Sequence, residues 1–110
     1  MGSDLVVDRE IGHDALDRVR VTLRLRGLVD LGTQPALERA LDDALAVTGV
    51  HAIVVDLERL TLLDSTGIAT LLHAYRTGRV GGVSLRVTNP TGMVYRVLEI
   101  TGVLTVLTDV

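Results

Sequence analysis

Residues 51–57 read His-Ala-Ile-Val-Val-Asp-Leu, a compact β-branched run with no alternation and no solvated face. Such a run marks a central strand covered on both sides, the usual setting of a parallel sheet. Upstream, Thr33 to Val47 carries a helical period. Leu37, Leu41 and Leu45 form one stripe with Ala36, Ala40 and Ala44, while Glu38, Arg39, Asp42 and Asp43 lie off it. Thr33 stands where a capping hydroxyl is wanted, Pro35 is tolerated in the first turn, and Gly49 ends the segment. Downstream, Ile68, Leu71, Leu72 and Tyr75 recur at helical spacing, and this helix is expected to stop before Gly78. A strand flanked by two helices implies crossover connections and parallel neighbours.

Further out, Arg18 to Gly27 alternates strictly. Val19, Val21, Leu23 and Leu25 oppose Arg18, Arg20, Thr22, Arg24 and Arg26, the period of a strand with one face in water. Leu5 to Glu10 reads as an edge strand before the polar break at Gly12-His13-Asp14. After the turn glycines Gly81-Gly82, Val83 to Thr88 is another alternating strand. Asn89-Pro90 is expected to open a helix, with Asn as cap and Pro at its first position. Val94, Val97 and Leu98 face inward, Gly102 closes that helix, and Leu104 to Leu107 is expected as a final short strand. The expected fold is α/β, in the order β-β-α-β-α-β-α-(β). Its mixed sheet is mostly parallel with an N-terminal antiparallel hairpin.

Composition narrows the chemistry. The 110 residues carry 11 basic and 14 acidic side chains, net -3, and 47% are hydrophobic. That length suits one domain spanning residues 1–110, with residues 1–4 expected to be loose and no internal repeat or linker. Tyr75 and Tyr95 are the only aromatics, so aliphatic side chains must fill the core. Every basic residue is Arg, which excludes lysine Schiff-base chemistry and a Walker-type lysine. The absence of Cys excludes disulfides, a thiolate nucleophile and Cys-ligated metal. Mild acidity argues against nucleic acid. There is no apolar run of membrane-spanning length and no signal-peptide core, which suggests a cytoplasmic protein. Met1-Gly2-Ser3 faintly matches a myristoylation start, but Val6 stands where Ser or Thr is required.

Among three serines, Ser3, Ser65 and Ser84, only Ser65 falls at a strand-to-helix junction, in Leu63-Asp64-Ser65-Thr66-Gly67-Ile68. Two readings fit it. In one, Asp64 or Ser65 caps the helix and Gly67 permits close packing. In the other, Ser65 accepts a phosphoryl group, which oriented amides and the positive helix end would tolerate. A hydrolase nucleophile fits poorly, because Leu63 occupies the first glycine position of Gly-x-Ser-x-Gly. His73 would also lie about 12 Å along the helix axis, and His51 would start the preceding strand at its far end. Asp30, in Gly27-Leu28-Val29-Asp30, reads as an Asx turn or helix-entry residue unless the fold brings it to Ser65. No ligand spacing joins Asp30, Asp56 and Asp64 into a metal site, and no cofactor is expected.

From Leu5 to Thr108 the chain resembles the STAS domain family, specifically bacterial anti-sigma factor antagonists. The resemblance rests on Asp64-Ser65-Thr66-Gly67-Ile68, on Gly27-Leu28-Val29-Asp30 and on Val55-Asp56-Leu57. Asn89-Pro90 and Val97-Leu98-Glu99-Ile100-Thr101-Gly102 follow in family order. It implies a non-enzymatic partner switch. The unphosphorylated antagonist binds an anti-sigma factor that is also an ATP-dependent serine kinase, and so releases the sigma factor. Phosphorylation at Ser65 ends the complex, and a PP2C-type phosphatase restores it. Thr66 is the less favoured acceptor. Asp30, Leu62, Asp64, Ser65, Thr66, Gly67 and Ile68 are the expected partner-binding residues. Leu28 replaces the family's usual glutamate, which removes a charge from that surface, and the terminal helix of many relatives is expected to be short or absent. Rival expectations are a stressosome-type or sensor module without phosphorylation, or a small serine hydrolase or nucleotide-binding domain. A transporter tail is disfavoured, because no membrane segment accompanies the chain.

Overall fold

Alternation along β2 (Val19–Val29) sorts its side chains onto two faces, and the computed structural model, which describes residues 4–108, shows what each face meets. Val21, Leu23 and Leu25 are buried, whereas Arg20, Arg24 and Arg26 stay exposed. β1 (Leu5–His13) pairs antiparallel with β2, from Leu5 opposite Gly27 to His13 opposite Val19. β3 (Val50–Leu63) and β4 (Ser84–Thr88) add in parallel, for a four-stranded sheet in the order β1-β2-β3-β4. The expected hairpin and parallel neighbours are both present. The expected looseness of residues 1–4 falls mostly on residues 1–3, outside the described residues.

Four helices contribute to a single core. They are α1 (Gln34–Leu45), α2 (Ser65–Val80), α3 (Gly92–Ile100) and α4 (Leu104–Leu107). Leu37 and Leu41 of α1, Leu71 of α2, Leu98 of α3 and Leu107 of α4 join Leu23, Ile53 and Val55 of the sheet. The largest fully buried side chains are all Leu, Ile or Val. Each contributes about 1.5–3 kcal/mol relative to exposure. Val94 and Leu98 face inward as expected, but Ala36 of the α1 stripe is exposed.

Several local expectations are corrected. The 51–57 run is fully covered on one face only: Ile53, Val55 and Leu57 are buried, while Ala52, Val54 and Asp56 are half-buried, with polar residues of β2 and β4 as their register neighbours. β3 also continues beyond Leu57 to Leu63. Its buried positions change spacing to Leu60 and Leu63 as register shifts interrupt the ladder. Three such shifts fit the 14 residues of β3 to the 11 of β2 and bring Leu63 level with Val29.

α2 does not stop at Gly78. A Cβ there would lie 2.8 Å from Val83 O, so this glycine lets β4 begin against the helix, and Val83 N–H donates to Gly78 O at 2.7 Å. Asn89 does not cap α3. It adopts φ 56° and its side-chain amide donates to Asp56 Oδ1 at 3.2 Å, and the helix begins after Thr91. Leu104–Leu107 is a helical turn rather than a strand, because the i, i+3 spacing buries Leu107 and half-buries Leu104.

Candidate functional site

The level ends of β2 and β3 bring two loops together. Asp30 follows Val29, Asp64 follows Leu63, and Asp64 N–H donates to Val29 O at 3.1 Å. The juxtaposition of Asp30 with Asp64 is therefore present at the carboxyl edge of the sheet. Register alone produces it, across a long interval of sequence.

At the entry to α2, Asp64 is the N-cap. Its extended backbone (φ -91°, ψ -177°) aims Oδ1 at the first turn, where it accepts from Gly67 N–H at 3.0 Å. The same oxygen accepts from Thr66 Oγ1 at 2.6 Å. Ser65 is exposed at the first helical position, and among the described residues its hydroxyl makes no hydrogen bond. Of the two candidate caps, Asp64 holds the role and Ser65 is left facing outward. Gly67 is required by packing: a Cβ would lie 2.5 Å from Leu63 Cδ1 and 2.6 Å from Val29 Cγ1.

Asp30 builds the turn into α1. Its Oδ1 accepts from Gly32 N–H at 2.9 Å and Thr33 N–H at 3.1 Å. Thr33 occupies the N-cap position, but its side chain does not cap the helix. Its hydroxyl donates to Leu28 O at 3.0 Å and accepts from Asp30 N–H at 3.0 Å, because the buried turn offers these partners first. Asp30 is thus both the expected Asx-type turn residue and a neighbour of the Ser65 loop.

Residues that the sequence did not single out tie the two helices together. Gln34 Nε2 donates to Thr70 Oγ1 at 2.8 Å, and Thr70 Oγ1 donates to Thr66 O at 2.8 Å. Thr70 is buried, so this chain fixes α1 against α2 directly behind Ser65. Leu31, Glu38, Asp42 and His73 line a groove of about 350 Å³ between the helices. The only sequence signal for it was the polar face of each helical stripe.

The expected contact residues divide by exposure. Leu62 is 39% exposed, and Leu31 beside Asp30 is 76% exposed. Gly67 and Ile68 are both buried, Ile68 at 7%, because they pack down onto the sheet. They support the surface from below. Asp64 and Thr66 are half-buried.

His73 is exposed on α2, His51 is half-buried near the amino end of β3, and His13 ends β1. Among the described residues no hydrogen bond joins any of them to Ser65. Asp56 lies in mid-β3 and bonds Asn89, apart from Asp30 and Asp64. Among the described residues no three His, Cys, Asp or Glu side chains converge as metal ligands. No helix of the described residues is long and apolar enough to cross a membrane.

The arrangement presents one free hydroxyl on the positive end of a long helix, beside two fixed carboxylates. First-turn amides at a helix start lack helical partners and so present donors to an anion.

The family model of the STAS domain matches residues 11–108. Among solved structures, the chain is similar to an anti-sigma factor antagonist from Mycobacterium paratuberculosis. The two are 26% identical with a TM-score of 0.73, and the match covers 96% of this chain and 84% of that one. The Bacillus cell fate determinant SpoIIAA, in its phosphorylated form, shares the fold at 24% identity and TM-score 0.61, covering 92% and 88%. A sulfate transporter family protein from Wolinella succinogenes shares it at 17% identity and TM-score 0.59, covering 74% and 69%.

Proposed function

The chain belongs to the STAS domain family, and we propose that within it the protein is an anti-sigma factor antagonist switched by phosphorylation of Ser65. The unphosphorylated form binds an anti-sigma factor that is also an ATP-dependent serine kinase, and so releases a sigma factor. The modified form lets go, and a PP2C-type phosphatase resets it. The reading is non-enzymatic and places the protein in the cytoplasm, where such partners act.

One observation carries this reading: of two adjacent hydroxyls, Ser65 is exposed and unbonded while Thr66 is held by Asp64. A kinase needs the acceptor free, and the cap remains intact when Ser65 is modified. Phosphorylation adds about 1.5–2 negative charges next to Asp64 and Asp30. A partner surface complementary to those carboxylates and to exposed Leu62 and Leu31 then meets excess charge and loses its dry contact. Each tenfold loss of affinity corresponds to about 1.4 kcal/mol.

The binding half is tested by calorimetry against the anti-sigma factor encoded nearest the gene. The wild-type protein should bind and Ser65→Glu should bind at least about tenfold more weakly, while Ser65→Ala retains affinity. Equal affinity of all three would remove the switch.

A further inference from the structure

The outer face of the sheet is divided by charge. At one end, a cleft of about 400 Å³ sets Asp8, Asp56 and Glu58 against Arg24, Arg26 and Arg59, so its charges balance. Arg24 Nη1 pairs with Glu10 Oε1 at 2.7 Å just beside it, which raises the guanidinium pKa further.

At the amino ends of β2, β3 and β4 the balance fails. A second cleft, of about 520 Å³, is lined by Arg18, Arg20, Arg79 and Arg86, with Asp14 as its one carboxylate. Asp14 is already engaged by Arg18, at 2.8 Å. Among the described residues Arg20, Arg79 and Arg86 form no ion pair. Three uncompensated guanidiniums therefore share one concavity in a chain of net charge -3.

The floor explains the shape. Register places Arg20, Ala52 and Ser84 in one row across three strands, so two small side chains lie beside Arg20, with Arg86 two residues further along β4. Arg79 is set over the Tyr75 ring, 5.7 Å from its centroid, and donates to Tyr75 Oη at 3.3 Å, which holds it at the cleft wall. His51 and Ser84 add polar groups to the lining. The volume is that of small-molecule sites, and arginine forks match phosphate oxygens in pairs.

We propose that this cleft binds a small phosphate-bearing polyanion, with Arg20, Arg79 and Arg86 as its principal ligands. The site lies at the end of the sheet opposite Ser65 and does not depend on the switch. The positive potential of the clustered guanidiniums gathers such an anion, and the Arg79 fork, held against Tyr75, orients it.

The test is an NMR titration of the full chain with inorganic pyrophosphate at constant ionic strength. Saturable shifts are expected at the backbone amides of Ala52, Ser84 and Arg86, with Ser65 to Gly67 unchanged. The double variant Arg20→Ala/Arg86→Ala should weaken binding by roughly tenfold or more, since each removes a charge-assisted contact. Arg24→Ala/Arg26→Ala, at the balanced end, should change affinity far less. Both pairs are exposed, so amide spectra verify each fold before titration. No saturable shift at Ala52, Ser84 and Arg86 would overturn the site. So would shifts confined to Ser65–Gly67, or equal losses in the two double variants.

Discussion

Asp64 Oδ1 binds Thr66 Oγ1 at 2.6 Å and leaves the hydroxyl of Ser65, one residue earlier, outside the cap. The carboxylate also takes Gly67 N–H, so it satisfies a backbone donor and tethers a side chain at once. Two neighbouring hydroxyls are thereby made unequal. Replacing Asp64 by Ala removes both contacts and should destabilise the fold by about 1–2 kcal/mol, read as a lower urea midpoint at unchanged slope. An unchanged midpoint would mean that the cap contributes nothing.

Gly67 tests the packing beneath the loop. Its absent Cβ would overlap Leu63 Cδ1 and Val29 Cγ1, the two strand ends that bring Asp30 and Asp64 together. Gly67→Ala should therefore cost about 1–3 kcal/mol despite alanine's better helix propensity. Thermal unfolding reads this directly, and a stabilised variant would show that the strand ends have room to move.

Leu62 and Ile68 should separate surface from support. Ile68→Ala deletes core volume and is expected to lose about 2–5 kcal/mol. Leu62→Ala, at a position 39% exposed, should change stability by about 0.5 kcal/mol or less while weakening partner binding. Stability curves paired with calorimetric titration distinguish the two. A Leu62 variant that binds as the wild type would remove Leu62 from the interface.

Much of this fold was legible in local pattern, and the exceptions share a cause. β2 was clear because one undisturbed period of two matches its inner and outer faces. The far end of β3 was not, because register shifts break the alternation after Leu57, and those same shifts carry the strand to the site. One-sided burial of residues 51–57 could not be read either, since Ala52 and Val54 look like core residues until β2 and β4 flank them with arginines. At the site, the junction at Ser65 was visible, yet the choice between Asp64 and Ser65 as cap depends on side-chain angles. Thr33 and Asn89 make the same point. Each stands where a cap is wanted, and each has another partner, Thr33 in its own buried turn and Asn89 across the fold at Asp56. The placement of Asp30 beside Asp64 needed the pairing of Val29 with Leu63, which is a tertiary fact.

The hairpin between β1 and β2 carries a pH signature. Backbone N–H of Arg18 donates to Asp14 Oδ1 at 2.9 Å, Leu16 N–H does the same at 2.9 Å, and the Arg18 guanidinium binds Oδ2. These contacts, the Arg18 amide foremost, hold the Asp14 carboxyl below its ordinary value of 3.8. The unfolded chain then takes up the proton first as pH falls. The stabilisation is complete above that ordinary value and is lost as pH drops through the lower folded one. Urea titrations between about pH 2 and 6 should show a shallower acid loss for Asp14→Asn than for the wild type. Parallel curves would place the acid sensitivity elsewhere.

The exposure of Ser65 and the engagement of Thr66 by Asp64 are the grounds on which we propose Ser65 as the acceptor and Thr66 as the bystander. The direct measurement incubates the wild-type protein, Ser65→Ala and Thr66→Ala with the anti-sigma kinase and ATP, then maps phosphate by mass spectrometry. Phosphate on Ser65 in the wild type and in Thr66→Ala, with none on Ser65→Ala while that variant still binds the kinase, is the expected result. Phosphate on Thr66, or an unlabelled wild-type protein bound to an active kinase, would contradict it.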